Sequence, residues 1–361
     1  MNTFALYQCW NQVVGSLIPA ACPTQLANLV WLMVGMYQGR SVQLALVARH
    51  LPLAAKKLSM ERRFSRFLAN GAVRVRQWYR PVAVYWVHHY SVMGEVQLII
   101  DGSRVGGGHQ LLLIALGTQH RALPIAWTWV RGKRGHSSGH TQLALLAYVR
   151  SLLPPGTSVL LVGDTEFGSV PVLQQLEHWG WHYVLRQASS TLVTAYHCRT
   201  WQPFGQIATR RATLWWAAAR LTDCWRHHTN LIAHWAPKED QPWLLATNLP
   251  DARTALQAYR RRNWIEQLFG DLKKHGVDLA STHLRHFARL SRLTLAAALL
   301  YTFLFHLGTR VIHNGRRAEV DRTDRRDLSI FRIGWDFLAR HLARDKPLFF
   351  AFVPQALVSG S

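Results

Sequence analysis

One stretch near residue 260 gathers side chains that do chemistry in company. In YRRRNWIEQLFGDLKK, Tyr259, Arg262, Glu266 and Lys273 are separated by 3, 4 and 7 positions. On a helix turning about 100° per residue they fall within a sector of roughly 60°. Ile265, Leu268, Phe269 and Leu272 fill the adjoining sector and can dock such a helix on a sheet. One carboxylate, one phenol and two cations would then point the same way. Two more carboxylates, Asp101 and Asp164, each close an apolar, strand-like run. Carboxylate oxygens are what hard divalent cations prefer, and a pair of such cations can stabilise the attacking and leaving oxygens of phosphodiester exchange. Taken singly, each feature also has a plain reading. The helix face can be solvated, and a strand-end acid can cap the turn that follows.

The elements that must position these groups come next. Val96 to Ile100 reads as a strand ending at Asp101. Gly106-Gly107-Gly108 reads as a hairpin turn into a second strand, Leu111 to Leu116, and Leu123 to Val130 forms a third. The glycine run lacks the rest of a P-loop, so a turn is the better reading. His140 to Leu153 reads as a helix stopped by Pro154-Pro155-Gly156. Ser158 to Val162 is then a buried strand leading to Gly163-Asp164, Val170 to Trp179 a helix, and Trp181 to Arg186 a strand. Three strands, helix, strand, helix, strand is the order of a ribonuclease-H-like domain. A helical crossover would make the fourth strand parallel to the first. Asp101 and Asp164 would then sit at the same end of adjacent strands.

The fold class expected is therefore α/β: a ribonuclease-H-like mixed sheet, a β-rich insertion before the last helix, and a helical N-terminal domain. The insertion rests on the Trp- and Thr-rich segments 201–220, 231–235 and 243–247. The last helix is expected from Asp251 to His275, closed by Gly276. The domains drawn are 1–90 (helical, DNA-end-binding), 91–187 with 251–310 (catalytic), 188–250 (the insertion) and 311–361 (basic C-terminal region). Within the first, Ser59 is an N-cap candidate for MERRFSRFLANG, with Asn70-Gly71 as its stop. Arg62, Arg63 and Arg66 lie there, in a stretch from Lys56 to Arg80 holding eight basic residues and one acid, Glu61. That is either a solvated face or a DNA-binding one.

Bulk properties narrow the class. There are 42 Lys plus Arg against 19 Asp plus Glu, a formal charge of +23. Such a surplus opposes compactness, and a polyanionic partner gives it a use, nucleic acid first and an anionic membrane second. The first charged residue is Arg40, so the start lacks the basic region of a signal peptide. Leu293 to Leu307 is too short and too polar for a membrane span and reads as a buried helix. Cys9, Cys22, Cys198 and Cys224 form no C-x-x-C pair, which fits a reducing cytoplasm and no zinc site.

Tyr-x2-Arg-x3-Glu-x6-Lys, complete in Tyr259, Arg262, Glu266 and Lys273, resembles the signature of insertion-sequence transposases of family four, within the DDE superfamily. LIIDGSR resembles that family's first-Asp strand, LLVGDTEFGSVPVLQQLEHWGWHYVLR its second-Asp block, and WLLATNLP the strand ahead of its glutamate helix. Ser103 and Thr165 stand where the family often has Thr and Arg, and neither change removes a carboxylate. The resemblance implies a DNA transposase with Asp101, Asp164 and Glu266 as catalytic metal ligands for two Mg²⁺ ions, with Mn²⁺ as a substitute. Asp101 would bridge the two ions. It implies nicking at the element's end, a DNA hairpin, its reopening, and strand transfer to target DNA. Tyr259, Arg262 and Lys273 would contact phosphates, and Trp243 would stack on a flipped base rather than serve as a core aromatic. The partners implied are double-stranded DNA at terminal repeats and target, and a second copy of the chain in a synaptic dimer. The location implied is the bacterial cytoplasm, on the nucleoid.

Other features carry less. His136 and His140 flank Ser137-Ser138-Gly139, poor ground for a helical metal pair. His88-His89 and His227-His228 are adjacent and face opposite ways in extended chain. Glu166, two positions after Asp164, reads as a surface acid, with a supporting contact behind Asp164 as the alternative, and Arg186 either reaches a phosphate or pairs with an acid. Competing functions are a ribonuclease-H-like nuclease or resolvase, a non-catalytic DNA-binding descendant of a transposase, and a basic membrane-associated protein.

Overall fold

The computed structural model describes residues 2–18, 21–105, 108–132, 137–196 and 198–347. The chain divides into two compact units. The first comprises 1–85, 105–109 and 269–361, the second 86–104 and 110–268.

The first unit is helical: α1 (Thr3–Leu17), α2 (Pro23–Gly39), α3 (Leu44–Arg49), α4 (Lys57–Ala69), the first half of α5 (Val75–Met93), α10 (Phe287–His313) and α11 (Ile330–Ala343). α10 holds the apolar run expected to be buried. It is long and apolar enough to cross a membrane by length and composition, yet 83% of that stretch is buried inside the protein. Arg292 on α10 is also buried, with Nε donating to the Val73 carbonyl at 3.0 Å and Nη1 to that of Leu68 at 2.9 Å. A buried guanidinium needs such acceptors, and these are carbonyls left without helical partners. α10 and α11 touch through their backbones, since a Cβ on Gly308 or Gly334 would overlap a carbonyl of the facing helix.

α4 starts earlier than expected. Ser59 lies inside the helix, and Lys56 holds the cap position without a side-chain bond. The stop at Asn70 is as expected. Met60, Phe64, Phe67 and Leu68 face inward, whereas Arg62 and Arg66 are exposed. Arg63 is half-buried and donates to the Asn28 side chain.

The second unit is built on one mixed sheet of ten strands. They are β1 (Val96–Val105), β2 (His109–Thr118), β3 (Arg121–Arg131), β4 (Val159–Gly163), β5 (His182–Arg186), β6 (Leu192–Thr194), β7 (Gln202–Pro203), β8 (Thr213–Leu221), β9 (His227–His234) and β10 (Trp243–Thr247). The spatial order is β3-β2-β1-β4-β5-β10-β9-β8-β6-β7. The helices α6 (Gly139–Arg150) and α7 (Val170–His178) are the crossovers that make β4 parallel to β1 and β5 parallel to β4. Residues 106 and 107 of the expected hairpin turn lie outside the described residues, as does His136. The strands between 188 and 250 do not form a sheet of their own. β10 pairs antiparallel with β5, Leu245 opposite Arg186, and β9 and β8 follow it.

The expected helix 251–275 is two helices, α8 (Ala252–Arg260) and α9 (Asn263–Leu272). At the joint, Arg262 N bonds to Tyr259 O and Ile265 N to Arg262 O, so three-residue spacing replaces four-residue spacing. Arg260-Arg261-Arg262 contains no helix breaker, and periodicity gives no sign of this break. It coincides with the burial of the Arg262 side chain among acids. The helix also ends before Gly276, at Leu272.

Candidate active site

β1 and β4 run side by side, with Ile100 paired to Gly163. Asp101 and Asp164 are the next residues along, so they stand side by side: β4 ends there, whereas β1 runs on to Val105, past the strand end expected at Asp101. Asp101 is 4% exposed, and its Oδ1 accepts from the Gly102 amide at 2.7 Å. Asp164 caps a 3-10 turn, Thr165–Phe167, and its Oδ1 accepts from Thr165 N at 2.8 Å. In both, one oxygen is engaged by the local backbone and the other is left for a partner.

That partner is Arg262. Its Nη1 lies 3.2 Å from Asp101 Oδ2 and 3.8 Å from Asp164 Oδ2, while Nη2 lies 2.7 Å from Glu266 Oε1. One guanidinium thus gathers three carboxylates from three elements. Its side chain is only 11% exposed. Burial works against its charge, but the fields of Tyr259, Asp101, Asp164 and Glu266 outweigh it and hold its pKa above the ordinary value.

Tyr259, at the end of α8, is buried. Burial raises its pKa first; Arg262 lowers it, Asp164 raises it and Arg186 lowers it, leaving it pushed up to about 12. It remains a neutral phenol across the physiological range. Trp243 opens β10 half-buried, its ring edge-on to Tyr259 with centroids 5.1 Å apart and tilted against His234 at 5.7 Å. Arg186 ends β5 and donates to the Pro242 carbonyl at 3.1 Å, with no acid paired to it among the described residues. Beside Asp164 opens a cavity of about 430 Å³, lined by Arg186, Gln187, Trp235 and Gln241 among others.

The structure therefore brings together Asp101, Asp164, Glu266, Arg262, Tyr259 and Trp243. Lys273, Arg62, Arg63 and Arg66 belong to the other compact unit. His88 and His89 are both exposed and lie on α5, not in extended chain. In β9, His227 is buried and His228 exposed, as alternation requires.

Glu166 differs from its expected role as a surface acid. Its Oε1 accepts from Ser137 N at 2.8 Å and its Oε2 from Gln110 Nε2 at 3.0 Å. Sequence reasoning missed Gln110, Gln142 and Gln187 altogether. Their signal was present: glutamine inside apolar runs such as HQLLLIALG is unusual unless its amide has work to do.

Residues 97–303, more than half of the chain, match the family described as transposase DDE domain. The chain belongs to that family. No curated protein matches this DDE-domain chain. Among solved structures it is similar to a piggyBac transposase synaptic complex with hairpin DNA, at 10% identity and a TM-score of 0.42, over 99% of this chain and 84% of that one.

Whether the DDE-domain site suits a metal turns on its donors. Three carboxylates converging on one positive group are the hard oxygen set that divalent cations prefer. Among the described residues no three His, Cys, Asp or Glu side chains stand close enough to hold an ion as they are. The guanidinium lies among the acids instead, so the cluster is cation-seeking and fits a divalent ion if Arg262 gives way.

Proposed function

We propose that this chain is a metal-dependent DNA transposase of the insertion-sequence type, family four, with a ribonuclease-H-like catalytic core. It would hydrolyse and transfer phosphodiesters at element ends and excise through a DNA hairpin. The observation that carries this reading is the convergence of Asp101, Asp164 and Glu266 on one cation. DDE transposases generally use divalent metals. Asp101, Asp164 and Glu266 would hold Mg²⁺ or Mn²⁺, as two ions, which would supply charge neutralisation for attacking and leaving oxygens. Arg262, relieved of the carboxylates, becomes available to a DNA phosphate, as do Tyr259 through its un-ionised hydroxyl and Lys273.

Trp243 offers a half-exposed ring beside the site. An unpaired base stacked there would offset part of the cost of flipping it, by roughly 1–3 kcal/mol. The +23 charge supports DNA as the partner, and exposed Arg62 and Arg66 are suited to phosphate. We further infer a domain plan of 1–90 for end binding, 91–187 with 251–310 for catalysis, 188–250 as the inserted strands and 311–361 as a basic tail. The working form would be a synaptic dimer in the cytoplasm, on the nucleoid.

The test is to incubate the protein with Mg²⁺ and a duplex bearing the terminal repeat of its own element. Nicks, hairpins and joined products are expected. Nicks alone, without hairpins or joining on a pre-nicked end, would favour a nuclease or resolvase. Binding with no cleavage would favour a non-catalytic descendant. For Trp243→Ala, nicking should stay near parental while hairpin formation slows, by up to roughly tenfold per 1.4 kcal/mol of stacking lost. Equal loss of both steps would make Trp243 a core residue.

A further inference from the structure

We propose that Glu166, braced by the buried amides of Gln110 and Gln142, is a positioning residue that fixes the turn carrying Asp164. The inference rests on the reading of Asp164 as a catalytic carboxylate. Asp164 is not held by a long strand. It follows the last residue of β4 and caps the short 3-10 turn Thr165–Phe167, closed by one bond from Phe167 N to Asp164 O at 2.9 Å. A single bond of this kind orders a turn weakly. Asp164 also points one oxygen into a cluster of charges that a phosphate must reach. Something else has to hold the turn.

The holding groups lie on three elements of the same unit. Glu166 Oε2 accepts from Gln110 Nε2 on β2 at 3.0 Å, and Oε1 accepts from Ser137 N, just before α6, at 2.8 Å. The Glu166 carbonyl accepts from Gln142 Nε2 on α6 at 3.0 Å. Two residues further along, Gly168 O accepts from Gln187 Nε2 after β5 at 3.1 Å. All three glutamines are buried. Buried amides of this kind cost desolvation and are kept where their bonds are specific.

Gly102 completes the arrangement. It follows Asp101 on β1, and a Cβ there would overlap the Gln110 amide that reaches across to Glu166. The strand bearing one candidate catalytic Asp is thus open at the one position that lets β2 grip the turn bearing the other. Glu166 touches neither the cluster around Arg262 nor, by this reading, the substrate. Its action is through Asp164.

The chemistry of the grip gives it a diagnostic. Gln110 Oε1 has no partner among the described residues. In Glu166→Gln, the introduced oxygen can still accept from Ser137 N. Its new NH₂ can donate to Gln110 once that amide flips, exchanging oxygen for nitrogen. The charge goes and the grip stays. Glu166→Ala loses both bonds, and Gln110→Leu loses one.

The experiment pairs two measurements on the full chain. Hydrogen exchange over residues 163–168 reports the turn with no reaction required, and single-turnover nicking of a saturating terminal-repeat duplex with Mg²⁺ reports the chemistry. Glu166→Ala should raise exchange in that segment and slow nicking by roughly 10–100-fold, the usual loss when a partner of a metal-binding carboxylate is removed. Its DNA affinity should stay near parental, and Glu166→Gln should restore both measurements to within about threefold. Unchanged exchange in Glu166→Ala overturns the grip, as does raised exchange with parental nicking. Equal loss in Glu166→Ala and Glu166→Gln overturns it as well, since the charge and not the bonding would then matter. A parental protein that never nicks, or an Asp164→Ala variant that nicks normally, refutes the transposase reading and the reaction half of this proposal. The exchange data would still decide whether the turn is gripped. If Glu166→Ala does not fold, Gln110→Leu serves in its place, with a smaller effect of the same sign expected.

Discussion

The two ends of the candidate site are held in opposite ways. Asp101 is almost fully buried within β1, and the turn of Asp164 is tied to three neighbouring elements. Glu266 has a 54% exposed side chain, one turn along from Arg262 on a short helix. Its carboxylate contact among the described residues is that i,i+4 ion pair, the kind worth little in water. Two acids are set by the fold, and the third is left to adjust. A site of the proposed kind, admitting DNA and cations, gains from this division, because buried groups set the geometry and a solvent-facing one has room to adjust.

That contrast can be broken at several points. The largest effect concerns length at each position. Asp101→Ala, Asp164→Ala and Glu266→Ala should each lower nicking by roughly a thousandfold or more while end-DNA binding persists. Asp164→Glu, lengthened within a gripped turn, should be as damaging as the alanine variant. Glu266→Asp should keep a measurable part of the rate, roughly 1–10%. Equal damage from both conservative changes would show that Glu266 is as fixed as its partners.

The next effect is on stability. Removing Arg262 takes a 3.2 Å ion pair from buried Asp101, a loss of up to about 3–5 kcal/mol when a buried pair is broken from one side. Arg262→Gln should therefore unfold at clearly lower denaturant in EDTA, and Mg²⁺ should recover part of the difference. Glu266→Gln, which touches only the exposed arm, should cost about 0–1 kcal/mol. Denaturant melts of the two variants side by side would reveal a reversal of this order.

The smallest effect is on alkaline stability. The Tyr259 pKa is raised in the folded chain, so the unfolded chain loses that proton first. Its contribution is complete below about pH 10 and declines as pH rises to about 12, by about 3 kcal/mol in all. Tyr37 and Tyr183 are also raised by burial, so the parental curve alone is not diagnostic. Tyr259→Phe should fall less steeply over that window than the parental chain. Identical slopes would place Tyr259 in a wetter setting than its packing against Trp243 implies.

Much of this site was legible in the residues, and for local reasons. Strand pattern and the crossover rule put Asp101 and Asp164 side by side on adjacent elements, although β1 runs on to Val105 instead of ending at Asp101. The spacing of Tyr259, Arg262 and Glu266 was equally visible. The break between α8 and α9 was not, because it follows from where one guanidinium goes and not from any residue that disfavours helix. Arg262 read as a cation aimed at phosphate, and its place among three acids emerges only once the strands and helix meet. The glutamines were hidden for the same reason. A buried amide looks like any other polar residue until the carbonyl it serves is known.

The pairing of β5 with β10 has a consequence for how this chain can be shortened or recombined. In sequence, the strands from 188 to 250 read as an addition to be excised between Gln187 and Asp251. Yet Tyr183, Val184 and Leu185 are wholly buried, and the backbone groups of β5 on that side are answered by β10. Excision would expose an apolar strand with unanswered amides and carbonyls, the kind of edge on which chains stack into aggregates. A minimal catalytic fragment would have to retain β10, and a chimera grafting another family member's strands here must supply a tenth strand in the same register. The graft is constrained at its inner edge, against β5, and is free only at the far end, where β7 stands alone at the margin of the sheet.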